Sequence, residues 1–186
     1  MRFAFALLFF LSHSAFAADF NVYGGFTFAA PTESVQGASQ KWTGDAGTSY
    51  GASLGFGIFD SPFALELGAF SIAATSRQES GGVTTVRTFK SLEIPVLLRF
   101  RFDQAFSLGI GPYLAILNQL SGATGQFQNQ DRGVIISLQA KMHLFSAIFL
   151  LLDGRYQHGL TNLATQSGDL LNTRSVQGFT GLSLSL

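Results

Sequence analysis

Between residues 132 and 145 the side chains alternate. Val134, Ile136, Leu138, Ala140, Met142 and Leu144 fall on one parity, and Ser137, Gln139, Lys141 and His143 on the other. A period of two puts these sets on opposite faces of a β-strand. The same alternation sets Leu92, Ile94, Val96, Leu98, Phe100 and Phe102 against Glu93, Arg99 and Arg101. It sets Phe106, Leu108, Ile110, Pro112, Leu114 and Ile116 against Ser107, Gly109, Gly111 and Tyr113, and Phe63, Leu65, Leu67 and Ala69 against Glu66 and Gly68. Helical membrane spans are excluded beyond the N-terminus. The longest apolar run there, Leu108 to Leu117, is broken by two glycines and a proline, whereas a spanning helix needs about 20 residues.

The alternation predicts eight strands, at about 20–30, 49–59, 62–75, 84–102, 105–117, 132–145, 147–159 and 174–186. Asp60-Ser61, Asp103-Gln104 and Ser146 mark tight turns; the connections 31–48, 76–83, 118–131 and 160–173 are longer and rich in Gly, Ser, Thr, Gln and Asn. Short turns at one end, long loops at the other and an even strand number are the pattern of a transmembrane barrel with both termini in the periplasm. Closure satisfies every backbone N–H and C=O in hydrocarbon.

Which face points outward follows from composition. Only 12% of the 186 residues are charged, against 47% hydrophobic, with 21 Gly and 20 Phe; soluble chains carry roughly 25% charge. The apolar faces are almost free of charge, while the opposite faces mix charges with glycine, which suits a narrow, filled interior. Phe59, Phe63, Phe102, Phe106, Phe145 and Phe149 crowd the tight turns, where an interfacial aromatic girdle would lie. Eleven basic and eleven acidic residues balance, leaving no basic excess for nucleic acid. Without cysteine there is neither a disulfide framework nor a thiol nucleophile.

Met1 to Ala17 has one positive charge, an apolar run from Phe3 to Leu11 and a small-x-small end at Ala15-Phe16-Ala17. These are the parts of a secretory signal peptide. The expected organisation is residues 1–18 as signal peptide and 19–186 as the barrel. The fold class is all-β: an eight-stranded antiparallel up-and-down transmembrane barrel after a cleaved leader, in the cell outer membrane. Its expected partners are outer-membrane lipid, periplasmic chaperones and barrel-assembly machinery during biogenesis, and an extracellular or envelope protein.

The inward parity collects Glu66, Glu93 and Asp153 against Arg99, Arg101, Lys141 and Arg155, with Gln139, His143 and Gln157 nearby. Charges away from bulk water are costly unless paired, so these predict one interlocking lumen network. An ion or proton pathway is the alternative, less suited to a barrel just wide enough for its own side chains. Pro95 removes a ladder donor in a strand without an edge, which predicts a bulge or kink there. His143 and His158 are the only histidines after the leader, too few for a clustered metal site; no cofactor is implied.

Two segments carry a family resemblance. Ser91-Leu92-Glu93-Ile94-Pro95-Val96-Leu97-Leu98-Arg99-Phe100 resembles the strand motif of the PorT-like outer-membrane β-barrels, and Asp153-Gly154-Arg155-Tyr156-Gln157-His158-Gly159-Leu160-Thr161-Asn162 resembles that family's D-x-RY-x-x-GL-x-N strand end. They stand in the family's order. The resemblance implies an outer-membrane barrel across the mature chain, without assigning its role.

A non-enzymatic barrel making contacts through its outward loops is the leading expectation. Loop 31–48 is the candidate surface, with Lys41 and the sole tryptophan, Trp42; such a Trp can anchor a partner, cap the rim or sit at the lipid interface. The alternatives are a narrow channel or small-ligand barrel, and a lipid-modifying enzyme built on His158 near the outer rim. The last lacks a nucleophile elbow and an acidic residue to orient the histidine. No catalytic site is expected.

Overall fold

Eight strands hydrogen-bond in a closed ring. The computed structural model describes residues 18–35, 38–58, 61–80, 83–121, 128–164 and 170–186; the expected leader Met1–Ala17, the turn residue Asp60 and Phe59 lie outside them. Among the described residues there are eleven strands: β1 (Ala18–Ala29), β2 (Thr32–Val35), β3 (Ala38–Lys41), β4 (Thr43–Gly57), β5 (Phe63–Ser80), β6 (Val83–Arg101), β7 (Phe106–Ser121), β8 (Gln130–Phe145), β9 (Ile148–Gly159), β10 (Leu170–Asn172) and β11 (Arg174–Ser185). The barrel runs β1-β11-β9-β8-β7-β6-β5-β4 and closes antiparallel on β1. The closing seam holds register from Asp19↔Ser185 to Ala29↔Ser175, and the Leu186 N–H donates to the Ala18 carbonyl (2.8 Å).

The tight turns have local chemistry. Asp103 Oδ1 accepts from the Ala105 and Phe106 N–H groups, both at 2.7 Å, an Asx-type turn that reverses the chain between β6 and β7. Ser146 takes φ 48° between β8 and β9, the left-handed conformation a two-residue hairpin demands.

The period-two reading fixes the faces. Val96, Leu98, Ile136 and Leu138 are exposed on the outer wall, as are Phe20, Phe26, Ile110 and Leu182; Ile94 is half-buried. The opposite parity is buried and includes charges. This is the reverse of a water-soluble barrel, whose apolar face would be the interior.

Three expectations need correction. Segments 31–48 and 160–173 are not simple loops: β10, β2 and β3 form a separate three-stranded sheet, and β4 already begins at Thr43. Thr32↔Lys41 and Leu171↔Glu33 are among its pairs, so backbone groups at the long-loop end find strand partners. Second, no register shift sits at Pro95, which is buried and paired with Tyr113; the proline instead interrupts the ladder, which on the β5 side passes from Leu67↔Val96 to Phe70↔Glu93, and the register shift toward β7 lies between Lys90 and Ser91. Third, the lumen holds bulk as well as small residues. Phe70, Leu97, Ile135, Leu151 and Phe179 are buried in it. Glycines make the room: a Cβ at Gly51 or Gly68 would come within 2.5 Å of the Phe70 ring.

Candidate functional site in the barrel lumen

Inward-facing residues on successive strands build the lumen in tiers. At mid-barrel Glu66 (β5), Arg99 (β6), Asp153 and Arg155 (β9) form a closed quartet. Arg99 Nε donates to Glu66 Oε2, and its Nη2 donates to Asp153 Oδ2 (3.2 Å). Arg155 Nη2 bridges Glu66 Oε1 (3.2 Å) and Asp153 Oδ2 (2.8 Å), and its Nε adds a 3.0 Å bond to the same Asp153 oxygen. The Ser137 hydroxyl donates to Asp153 Oδ1 (2.6 Å). Two positive and two negative groups cancel. The Arg155 guanidinium also lies 4.3 Å from the Phe70 ring centroid, 5.2 Å from that of Phe179 and 5.5 Å from that of Tyr23. Ring quadrupoles stabilise a desolvated cation, each by about 0.5–2 kcal/mol. Gly109 leaves space for Arg99, whose Nη1 would stand 3.3 Å from a Cβ there.

Arg101 and Lys141 do not join this quartet, contrary to the single network expected from parity. They serve Asp19 at the tight-turn end: Lys141 Nζ lies 2.9 Å from Asp19 Oδ1 and Arg101 Nη2 3.6 Å from Oδ2. Ser185 Oγ donates to Asp19 (2.6 Å), linking the first and last barrel strands. His143 leaves the network too. It is exposed at the β8–β9 turn, with Nε2 2.9 Å from the Ser146 carbonyl and its ring against Phe149. Phe149 lies under Lys141 Nζ (4.3 Å) and lines the cavity at that end instead of standing in an outer girdle.

Glu93 faces the lumen above the quartet and is 1% exposed, but among the described residues no cation pairs with it at salt-bridge distance. Gln177 Nε2 reaches Glu93 Oε2 at 3.4 Å, while Oε1 has no hydrogen-bond partner among the described residues. Glu93 therefore stands outside the single ion-pair network expected from parity, beside a neutral cluster in which Gln177 Nε2 and Ser175 Oγ both donate to Gln157 Oε1 (2.8 and 2.9 Å). Nearer the long-loop end Asp131 Oδ2 accepts from Tyr113 (2.8 Å) and Thr173, leaving Oδ1 unpartnered.

Trp42 is not an exposed anchor. It is 5% exposed; its indole N–H donates to Glu33 Oε2 (2.8 Å), and the Arg87 guanidinium lies 4.3 Å from its ring centroid while donating to Glu33 Oε1 (2.9 Å). The Lys41 side chain lies outside the described residues. Strand parity places Tyr113 inward, but the sequence does not single out Asp19, Glu33, Arg87, Asp131 or Gln177. Extending parity one strand-end further finds Asp19, Arg87 and Asp131; Glu33 depends on the accessory sheet and left no such signal.

Two cavities flank the quartet. The one at the tight-turn end has a volume of about 340 Å³ and opens to solvent, with Glu66, Arg99, Arg101 and Lys141 on its wall. The one at the long-loop end is smaller and open to solvent on one side, with Glu93, Asp131 and Gln157 among apolar neighbours. His158 is half-buried on the outward parity, its Nδ1 unpartnered. Among the described residues no three His, Cys, Asp or Glu are grouped to hold a metal ion.

No family model and no curated protein matches the chain by sequence. Solved structures do match by fold. The chain is similar to the outer membrane protein OprG from Pseudomonas aeruginosa, at TM-score 0.61 and 15% identity over 91% of this chain and 96% of that one. It is similar to the outer membrane protein AlkL in DMPC lipid bilayers, at TM-score 0.59 and 13% identity over 91% and 90%. The outer membrane protease OmpT from Escherichia coli follows at TM-score 0.53 and 7% identity, over 94% and 99%. Likeness at these identities carries the closed antiparallel barrel and no activity, since one architecture hosts many functions.

Proposed function

We propose that this chain is a small integral outer-membrane β-barrel without enzymatic activity, acting structurally or by contact through its long-loop end, its lumen closed at mid-height by the Glu66–Arg99–Asp153–Arg155 quartet. The observation that carries the reading is the inversion of faces. Leu and Ile side chains such as Leu138 and Ile136 stand exposed on the outer wall while Glu66 and Arg155 are 2% exposed inside. Such a surface is soluble in lipid, not in water. Similarity to outer membrane proteins supports the same membrane. The PorT-like reading rests on the segments 91–100 and 153–162, whose motif residues Glu93, Arg99, Asp153 and Arg155 all stand in the lumen.

The non-enzymatic reading draws on the histidines, which occupy opposite ends of the barrel, with no group orienting His158 Nδ1. Lipid and the envelope's chaperone and barrel-assembly machinery are the partners this reading requires. Fractionation tests it: the chain should sediment with outer membranes and migrate faster on a gel unheated than boiled. Recovery as a soluble periplasmic protein would overturn it. The closed lumen predicts no stepwise conductance in planar bilayers; steady single-channel steps would favour a narrow channel instead.

A further inference from the structure

We infer that the cavity at the long-loop end is a binding site for a small primary amine carrying a short apolar chain. The inference deepens the reading of that end as the working end of the barrel, and rests on it.

The cavity has two kinds of wall. Ile72, Ala74, Phe89, Ala115 and Leu117 supply an apolar side, and Glu93, Asp131 and Gln157 a polar one. Glu93 and Asp131 are 1% and 2% exposed, yet each keeps one carboxylate oxygen, Oε1 and Oδ1, without a hydrogen-bond partner among the described residues. A buried acceptor left unmatched costs free energy that a ligand's donor can recover. Mid-barrel shows that this chain can satisfy buried carboxylates fully when they serve structure alone. Here both acids line the cavity, so a ligand seated there is the group that can bring donors toward them.

The chemistry selects an ammonium. A hard metal ion requires six to eight oxygens for calcium and near-octahedral oxygens for magnesium, and the aliphatic wall withholds them. An alkylammonium presents N–H donors to the two carboxylates, and an apolar chain to Ile72, Ala115 and Leu117. Arg174, also on the lining, is exposed and can stay in water.

The test uses the full chain refolded in detergent micelles and titrated with n-butylammonium at fixed pH and ionic strength, followed by amide chemical shifts. Saturable shifts confined to the cavity-lining residues of β5, β6, β7, β8 and β9 are expected, with n-butanol and butyrate giving none. Glu93→Gln and Asp131→Asn should each weaken binding at least tenfold. Ala115→Phe, which fills the cavity and keeps both carboxylates, should abolish it. The heat-dependent gel shift reports folding of every variant, so Ala115→Phe and Asp131→Asn carry the test if Glu93→Gln does not fold. Absence of saturation in the folded wild type, equal affinity in the carboxylate variants, or preference for butyrate would overturn the site. Because folding and membrane location are read separately, loss of the site leaves the barrel reading standing.

Discussion

Glu66 and Asp153 at mid-barrel share a lumen and a depth of burial with Glu93 and Asp131 above them, but their surroundings differ. Glu66 and Asp153 each face both Arg99 and Arg155, and every carboxylate oxygen of the pair accepts a hydrogen bond. Glu93 meets one amide nitrogen and Asp131 two hydroxyls. Burying an ion costs several kcal/mol, offset only where geometry and hydrogen bonds are complete. The four oxygens of the first pair meet that condition, although Arg155 Nη1 beside them has no hydrogen-bond partner among the described residues, and the pair acts as structure. The second leaves an oxygen of each acid unmatched beside a cavity, so burial by itself does not distinguish a plug from a site; completeness of hydrogen bonding does.

Glu66→Leu against Glu93→Leu is the sharpest way to break this comparison. Removing Glu66 strips a partner from two buried arginines, an expected loss of about 3–5 kcal/mol. Removing Glu93 strands no cation, and Gln177 keeps its bond to Gln157, so stability should stay within about 1 kcal/mol of wild type. Urea unfolding of the refolded barrels, monitored by gel shift, measures both. Equal losses would mean that Glu93 is tied to Arg155 after all.

The accessory sheet offers a fifth buried acid, Glu33, whose two oxygens are matched by Trp42 and Arg87. By the same logic it is structural. Arg87→Ala should loosen this corner by about 1–3 kcal/mol, the cost of leaving a buried acceptor unmatched. Trp42 is the chain's sole tryptophan, so its fluorescence reports that corner alone. Expected are a red shift and easier iodide quenching in the variant, with the barrel's global unfolding midpoint little changed. Unaltered emission would show that Arg87 holds nothing in place.

How far the sequence reaches follows from what sets each feature. Strand parity is local and survives translation into three dimensions, so Leu98, Ile136 and Leu138 could be assigned to the outer wall and Glu66, Glu93 and Arg155 to the lumen by counting in twos. Parity says nothing of height. Whether Arg101 meets Asp153 or Asp19 depends on the stagger between non-adjacent strands, which no single strand encodes; hence one network was expected where there are separate tiers. Trp42 failed for another reason. Gly- and Ser-rich composition marked 31–48 as loop, while the pairing that buries Trp42 joins β2 to β10, about 140 residues further along the chain.

The rim tier gives the smallest expected effect and a check on that separation. Asp19 holds Lys141, Arg101 and the Ser185 hydroxyl, with side-chain exposures of 18% for Asp19, 19% for Lys141 and 38% for Arg101. Partly hydrated ion pairs contribute about 0.2–1 kcal/mol, and salt screens them because the Debye length falls from about 10 Å at 0.1 M to about 3 Å at 1 M. Asp19→Asn should therefore lower the urea midpoint slightly at 0.1 M salt and less at 1 M. The Glu66→Leu loss, arising in a desolvated layer, should be nearly the same at both. A rim loss that is large and insensitive to salt would join Asp19, Arg101 and Lys141 to the mid-barrel quartet as one cooperative network, and the spatial separation of the tiers would then carry no separation in energy.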